Sequence, residues 1–317
     1  MASPEARYQT AADVVDSWRE DVLTGKAPVL YPVSSGALSG IELGPGLVVL
    51  IGGPPGSGKS ALVMQLVIDA LRLTPELRAV VCNIEMPPDV LFDRQLARLS
   101  GVELNMIRYR QLESVHADRI DQAMNTLEPL AERLAFVRPP FDLANVAAAA
   151  DDCRADLIVL DYIQRIRPPG QHESRRGSVD ATMDYLRQFA DAGVAVVVVA
   201  AVARTKDRYG RSSYTGDGLN LASFRESSEL EFGADSAYIL VPTPKDDALV
   251  TLRHLKARYT ALQDVELAFD RPRQRFSSAA GPEGNPSSVD KGKLRAGLAA
   301  LWNRTAAAPD DEDEDTA

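Results

Sequence analysis

Leu47-Val48-Val49-Leu50-Ile51-Gly52-Gly53-Pro54-Pro55-Gly56-Ser57-Gly58-Lys59-Ser60 is the stretch on which the fold turns. Its first five residues form an apolar, β-branched run of the kind found in a strand buried on both faces. Gly53 to Ser60 then fits G-x-x-x-x-G-K-[ST], and Ala61 to Leu73 behind it reads as a helix stopped by Thr74-Pro75. In that strand–loop–helix setting the spelling has a mechanism. Glycines let main-chain N–H groups curl around phosphate oxygens without Cβ clashes, and the helix N-terminus adds partial positive charge. Lys59 is placed to neutralise β- and γ-phosphates, and the Ser60 hydroxyl to ligate Mg2+. The candidate nucleotide-binding set is therefore Gly53, Pro54, Pro55, Gly56, Ser57, Gly58, Lys59, Ser60 and Ala61, with ATP and Mg2+ as the implied ligands. A glycine-rich turn without function is the plain competitor.

Outward from this loop the chain alternates strand and helix. Strands are expected at Ala79–Ile84, Leu134–Val137, Leu157–Leu160 and Val194–Val202. Helices are expected at Asp89–Leu99, which Pro88 can start, and at His116–Arg133, Leu143–Asp152 and Val179–Ala192. This rhythm predicts an α/β fold with a mostly parallel central sheet and helices on both faces. After a polar, Gly-rich loop at 205–220, strands Tyr238–Val241, Leu249–Leu255 and Val265–Phe269 read as an antiparallel edge added to the same sheet. Ahead of the core, Thr10–Leu23 reads as an amphipathic helix. Thr10 is its cap, Asp13 follows three residues later, and Val14, Trp18 and Val22 lie on one face. Residues 1–45 are thus a lead-in with a linker helix, 46–277 one catalytic domain, and 278–317 a Gly/Pro-rich and acidic tail read as largely disordered, with a short helix possible at Lys291–Trp302.

The bulk numbers exclude several classes. Two cysteines, Cys82 and Cys153, cannot build a disulfide scaffold, and their apolar surroundings suit small buried residues. No Cys/His cluster has metal-ligand spacing. No signal peptide is expected, and the apolar run Val194–Ala203 is about half of a membrane span, so a soluble cytoplasmic protein without a membrane partner is expected. Of the net charge of −10, six negative charges fall in Asp310–Asp315, so overall charge does not exclude a nucleic-acid track on local loops.

Two carboxylates complete the candidate site. Asp161 ends the apolar run Leu157–Leu160, where it can hold the magnesium that Ser60 also ligates. Glu85, in Asn83-Ile84-Glu85-Met86, sits where it can orient and partly deprotonate a water facing the γ-phosphate. The competing readings are a turn-capping aspartate and a solubilising glutamate.

Several collinear segments resemble the C-terminal ATPase domain of DnaB-type replicative helicases, a RecA-like P-loop family. These are Asn83-Ile84-Glu85-Met86 with Arg94; Ser100-Gly101-Val102 with Ile107-Arg108 and Gln111-Leu112; Asp161-Tyr162-Ile163-Gln164; Phe224-Arg225-Glu226-Ser227 with Ala234-Asp235; Leu255-Lys256-Ala257-Arg258; and Val265-Glu266-Leu267-Ala268-Phe269. The likeness spans about residues 45–276. It implies a RecA-like P-loop NTPase acting as an ATP-dependent DNA helicase or translocase. ATP would be hydrolysed at subunit interfaces of a homo-oligomeric, hexameric ring moving on single-stranded DNA, with replication proteins as possible partners. It also implies that Glu85 is the catalytic carboxylate and Asp161 the magnesium-side acid. Lys256 and Arg258 would then reach into the neighbouring subunit's site as a finger in trans, with the linker helix docking on that neighbour.

Three departures qualify the implied function. About 45 residues precede the core, so no primase-binding domain is expected there. The family's S-Q-L-x-R segment appears as Ala200-Ala201-Val202-Ala203-Arg204, with Ala201 in place of a γ-phosphate-sensing glutamine. The hairpin continues as Tyr259-Thr260 instead of a polar turn. Candidate DNA contacts are Arg175 and Arg176 on the loop 168–177, and Lys206, Arg208 and Arg211 (with Tyr209) on the loop 205–220, against a reading as solvated loop charge. The rival functions are a RecA-like, DNA-stimulated ATPase that regulates or assembles on DNA without unwinding, and a nucleotide-dependent scaffold without turnover.

Overall fold

Alternate residues of the central strands enter two different apolar cores, the arrangement that a sheet covered on both faces requires. Val49, Ile51, Val81, Val159 and Val197 enter one core, while Val48, Leu50, Val80, Ile158 and Val196 enter the other. The computed structural model describes residues 8–34, 36–170, 175–202, 205–206, 212–213, 219–224, 229–243 and 246–279. Among these, no helix is long and apolar enough to cross a membrane.

The strands are β1 (Val48–Gly53), β2 (Ala79–Asn83), β3 (Leu134–Phe136), β4 (Leu157–Asp161), β5 (Ala195–Ala201), β6 (Thr205–Lys206), β7 (Ser212–Ser213), β8 (Ser236–Thr243), β9 (Asp246–Ala257), β10 (Val265–Asp270) and β11 (Arg275–Ser278). Nine of them form one sheet in the order β11-β10-β9-β8-β1-β5-β4-β2-β3, and β6 and β7 pair separately. Every pair from β3 to β8 is parallel, and β8–β9, β9–β10 and β10–β11 are antiparallel.

The helices are α1 (Ala12–Thr24), α2 (Lys59–Leu73), α3 (Pro88–Ser100), α4 (Leu104–Arg108), α5 (Ala117–Leu127), α6 (Leu143–Cys153), α7 (Arg175–Asp191) and α8 (Glu229–Gly233). On one face Leu62, Leu66 and Leu71 of α2 join Leu91 of α3 and Leu127 of α5. On the other, Val146 of α6 meets Val179, Met183 and Leu186 of α7 and Leu230 of α8.

Several expectations are corrected. The strand expected at Tyr238–Val241 as part of an antiparallel edge is β8, and it runs parallel to β1 (Val49 beside Ser236) while pairing antiparallel with β9. The chain between β5 and β8 returns to the amino end of the sheet and includes α8, a crossover that permits parallel pairing. The helix expected over 116–133 ends at Leu127, and Pro129 continues it as a 3-10 turn. Helix α7 begins at Arg175, four residues before the expected Val179, so Arg175 and Arg176 open a helix instead of lying on a loop. Cys82 is buried, but Cys153 is only half-buried.

Helix α1 belongs to a separate compact unit from residues 30–283. Its cap is Ala11, without a side-chain cap bond, instead of the expected Thr10; Thr10 and Asp13 nevertheless bond each other, Thr10 N–H donating to Asp13 Oδ2 (2.7 Å) and Asp13 N–H to Thr10 Oγ1 (3.3 Å). None of its side chains is buried, and Val14, Trp18 and Val22 are exposed. The helix expected at Lys291–Trp302 and the acidic tail lie outside the described residues.

Candidate active site

Strand β1 delivers the loop Pro54–Gly58 to the carboxyl edge of the sheet, and Lys59 opens α2 directly behind it. Lys59 Nζ donates to the carbonyls of Gly53 and Pro54, each at 2.9 Å. Burial holds the Lys59 pKa below its usual value, while Asp161 and Glu85 pull it upward. A desolvated ammonium held only by loop carbonyls is suited to transfer onto a stronger anion.

Gly58 has φ +93°, and a Cβ there would lie 2.7 Å from Phe276 Cζ and 2.8 Å from Phe269 Cε1. Those two rings stack at 4.2 Å with 4° between their planes. The turn of the phosphate loop therefore rests on the β10–β11 hairpin and admits only glycine. Gln65 of α2 fastens the same hairpin, donating to the Phe276 carbonyl and accepting its N–H, both at 3.0 Å. Arg271, at the hairpin turn, donates to the Gly56 carbonyl at 2.6 Å.

Asp161 ends β4 beside Asn83, whose side-chain amide donates to Asp161 Oδ2 at 2.8 Å. Asp161 is buried, and burial raises its pKa; the Ser60 hydroxyl bond, Lys59 and Arg94 act in the opposite direction. Strand β2 ends at Asn83, so Glu85 lies two residues beyond the strand, on an exposed bend. Asn83 Oδ1 accepts from the N–H groups of Glu85 (3.1 Å) and Met86 (2.8 Å), which fixes that bend. One side chain thus aligns both acidic positions.

These groups converge on one cavity of about 590 Å³, lined by Lys59, Ser60, Glu85, Arg94, Asp161 and Ala201 among others. Its chemistry fits a magnesium–nucleotide. A lysine and two arginines face two carboxylates, leaving a cationic excess, and Arg94 Nε is buried without a partner. Sequence reading did not assign Arg94, Arg271 or Gln274 to the site, although all three line the cavity. Arg94 had a signal in its spacing from Glu85. Arg271 and Gln274 had none, because β11, which brings them there, is too short to read from periodicity. Ala201, at the end of β5, is gripped through its main chain: its N–H donates to Gln164 Oε1 (3.1 Å) and its carbonyl accepts from Gln164 Nε2 (3.3 Å).

Lys256 and Arg258 lie elsewhere. Lys256 is near the end of β9 and Arg258 is one residue past it, beyond Leu252, the last residue of β9 that pairs with β10. Ala257 pairs with Ser236 at the amino end of β8, and Asp235 N–H donates to the Val48 carbonyl at the start of β1 (2.8 Å). The cradle follows Gly53, about 16 Å further along β1. Lys256 Nζ donates to the Phe232 carbonyl at 3.1 Å, and Arg258 pairs with Asp235 at 2.6 Å. The structure thus brings Lys59, Ser60, Glu85 and Asp161 together and keeps Lys256 and Arg258 at the opposite end of the sheet.

Residues 37–278, well over half of the chain, match the family described as DnaB-like helicase C terminal domain. The chain belongs to that family. Among curated relatives, the replicative DNA helicase DnaB of Buchnera aphidicola subsp. Acyrthosiphon pisum (strain APS) is 26% identical over 196 residues, 59% of this chain and 41% of the relative. The DnaB of Buchnera aphidicola subsp. Schizaphis graminum (strain Sg) is 25% identical over 205 residues, 62% and 42% respectively. The matched stretch therefore covers less than half the length of either relative. Among solved structures, the ATPase domain of G40P superposes with a TM-score of 0.72 at 16% identity, covering 86% of this chain and 99% of that one. A DnaB-like replicative helicase, solved in a study of its interactions with primase, gives 0.70 at 16% identity, covering 85% and 67%. At that identity the superpositions establish the shared fold.

Of the DNA-contact candidates in this DnaB-like domain, Arg208 and Arg211 lie outside the described residues. The backbones of Arg175, Arg176 and Lys206 are placed in α7 and β6, but their side chains lie outside the described set.

Proposed function

We propose that this DnaB-like domain is an ATP-driven motor that assembles as a homo-oligomeric, hexameric ring and moves along single-stranded DNA, unwinding duplex ahead of it. The observation that supports the reading is the separation just described: Lys59, Ser60, Glu85 and Asp161 lie at one end of β1, and Lys256 and Arg258, read as the finger, lie at the other. A chain so built completes a site only against another copy, and hydrolysis then depends on how two copies meet.

In this reading Gly53 to Ala61 hold the phosphates, with Lys59 and Arg94 as cations against them. Ser60 and Asp161 would hold magnesium, which would supply charge neutralisation at the phosphates. Glu85 accepts a proton from the attacking water, and its unhindered bend leaves room for that water. Lys256 and Arg258 of the next copy stabilise charge on the transferring phosphoryl group. Helix α1, with Val14, Trp18 and Val22 exposed, docks on the adjacent copy. Residues 1–45 are the linker, 46–277 the motor and 278–317 an appendage, all working in the cytoplasm beside the replication machinery. Arg175, Arg176, Lys206, Arg208 and Arg211 form the strand track.

Strand displacement on a forked duplex with ATP and Mg2+ tests this function. ATP-dependent separation of the strands is the expected result. DNA-stimulated turnover without separation would replace it with the regulatory reading that Ala201 motivates, and absence of turnover with DNA would replace it with the scaffold.

A further inference from the structure

We propose that Asp235 is the positioning residue of the trans finger, holding the Arg258 guanidinium in place for the neighbouring copy's nucleotide. This rests on the reading of Arg258 as that finger. Asp235 is almost fully buried, and both of its carboxylate oxygens are committed. Oδ1 accepts from Arg258 Nη1 at 2.6 Å. Oδ2 accepts from Arg187 Nη1 at 2.7 Å and from the Val48 N–H at 2.8 Å. The main chain repeats the link, because Arg258 N–H donates to the Asp235 carbonyl at 2.9 Å while Asp235 N–H donates to the Val48 carbonyl at 2.8 Å. Arg187 is itself tied to Gly46 and Asp191, so α7 braces the carboxylate from behind.

The consequence is chemical. A buried carboxylate with three donors has no freedom to swing, so the guanidinium bound to it is confined as well. Nη1 is the atom held by the carboxylate, while the Arg258 side chain remains 43% exposed, so the guanidinium is gripped at one edge and still reachable from solvent. An arginine on a free loop would lose rotamer freedom each time it closed on a phosphate; here much of that ordering is already done. Asp235 also fixes the finger to the first residue of β1, the strand that leads to this copy's own phosphate loop. One carboxylate therefore anchors the finger on the strand whose far end carries this copy's phosphate loop.

A double-mutant cycle on the assembled full chain tests this, with steady-state ATP turnover and circular dichroism measured on each variant. Asp235→Asn is expected to lower kcat by about tenfold with KM for ATP within about twofold, because the loss concerns the transition state more than ground-state binding. In an Arg258→Ala background the same change is expected to lower kcat less than about twofold, since no finger remains to be positioned. An equal loss in both backgrounds, or wild-type turnover in Asp235→Asn, overturns the proposal. If Asp235→Asn does not fold, Asp235→Glu, which keeps the charge but displaces it by one methylene, enters the same cycle. Its loss is again expected only where Arg258 is present, and an additive loss overturns the proposal. Arg258→Ala alone separates the two failures: wild-type turnover in that variant removes the finger reading itself, whereas a normal Arg258→Ala defect with an additive Asp235 effect removes only the positioning role.

Discussion

The two ends of β1 are built differently. At its carboxyl end, an open cavity collects a lysine, two arginines and two carboxylates, a set with a cationic excess, with Lys59 held by carbonyls and Arg94 Nε unpartnered. At its amino end, Asp235 is saturated by Arg187, Arg258 and the Val48 N–H, and Arg258 lies in a finished ion-pair network. The first arrangement has capacity left for a ligand. The second is a fixed support from which one side chain projects. On the proposed function, a chain with these two ends would receive at one and give at the other, the asymmetry a head-to-tail ring needs.

The largest effect is expected from removing the receiving cation. Lys59→Ala should bring ATP turnover to background, measured by phosphate release, with the fold intact by circular dichroism; retained turnover would break the comparison at its carboxyl end. Next comes the giving end. Arg258→Ala should lower turnover by about 10³-fold while ATP binding, measured by a fluorescent analogue, stays nearly unchanged. A matching loss of binding would place Arg258 in its own chain's site.

Gly58→Ala sharpens the comparison by attacking the junction between loop and hairpin. Its Cβ would enter the Phe269–Phe276 stack from a left-handed backbone, so a stability loss of about 1–3 kcal/mol by chemical denaturation is expected, together with weakened nucleotide binding. An unchanged midpoint would show that the hairpin yields easily. The smallest effect concerns His254, whose ring stacks on Tyr238 at 4.2 Å and whose Nδ1 accepts the Gln263 N–H at 3.3 Å. Burial holds its pKa below the ordinary value. The folded state therefore resists a proton that the unfolded chain accepts, so this stability is fully present above about pH 6.5 and declines as pH falls through the window below it. His254→Phe, which keeps a stacked ring, should flatten that decline in thermal melts between pH 7 and 5, and an unaltered slope would assign the decline to other groups.

Much of this was legible in sequence, for identifiable reasons. Uninterrupted apolar runs marked β1, β2, β4 and β5, because a strand buried on both faces has no polar residue to confuse its reading. The phosphate loop was legible because its spelling sits between such a strand and a helix. Orientation was less accessible: β8 has the same apolar character whichever way it runs, and only the crossover through α8 makes it parallel to β1. The short elements α4 and β11 have neither an uninterrupted apolar run nor the length for a period to show. Arg271 and Gln274 were hidden with β11, and Asp235 was visible only as part of a motif, because what it does depends on partners 23, 48 and 187 residues away.

The central claim, that each catalytic unit is assembled from two copies, is tested most directly by mixing two inactive forms. Glu85→Gln subunits keep the finger but lack the water-activating carboxylate, and Arg258→Ala subunits keep the carboxylate but lack the finger. Mixed in equal amounts and reassembled, they should recover roughly a quarter of wild-type ATP turnover, because a random head-to-tail ring places an intact cradle beside an intact finger at that fraction of interfaces. Turnover equal to the average of the two separate residual activities would contradict the account.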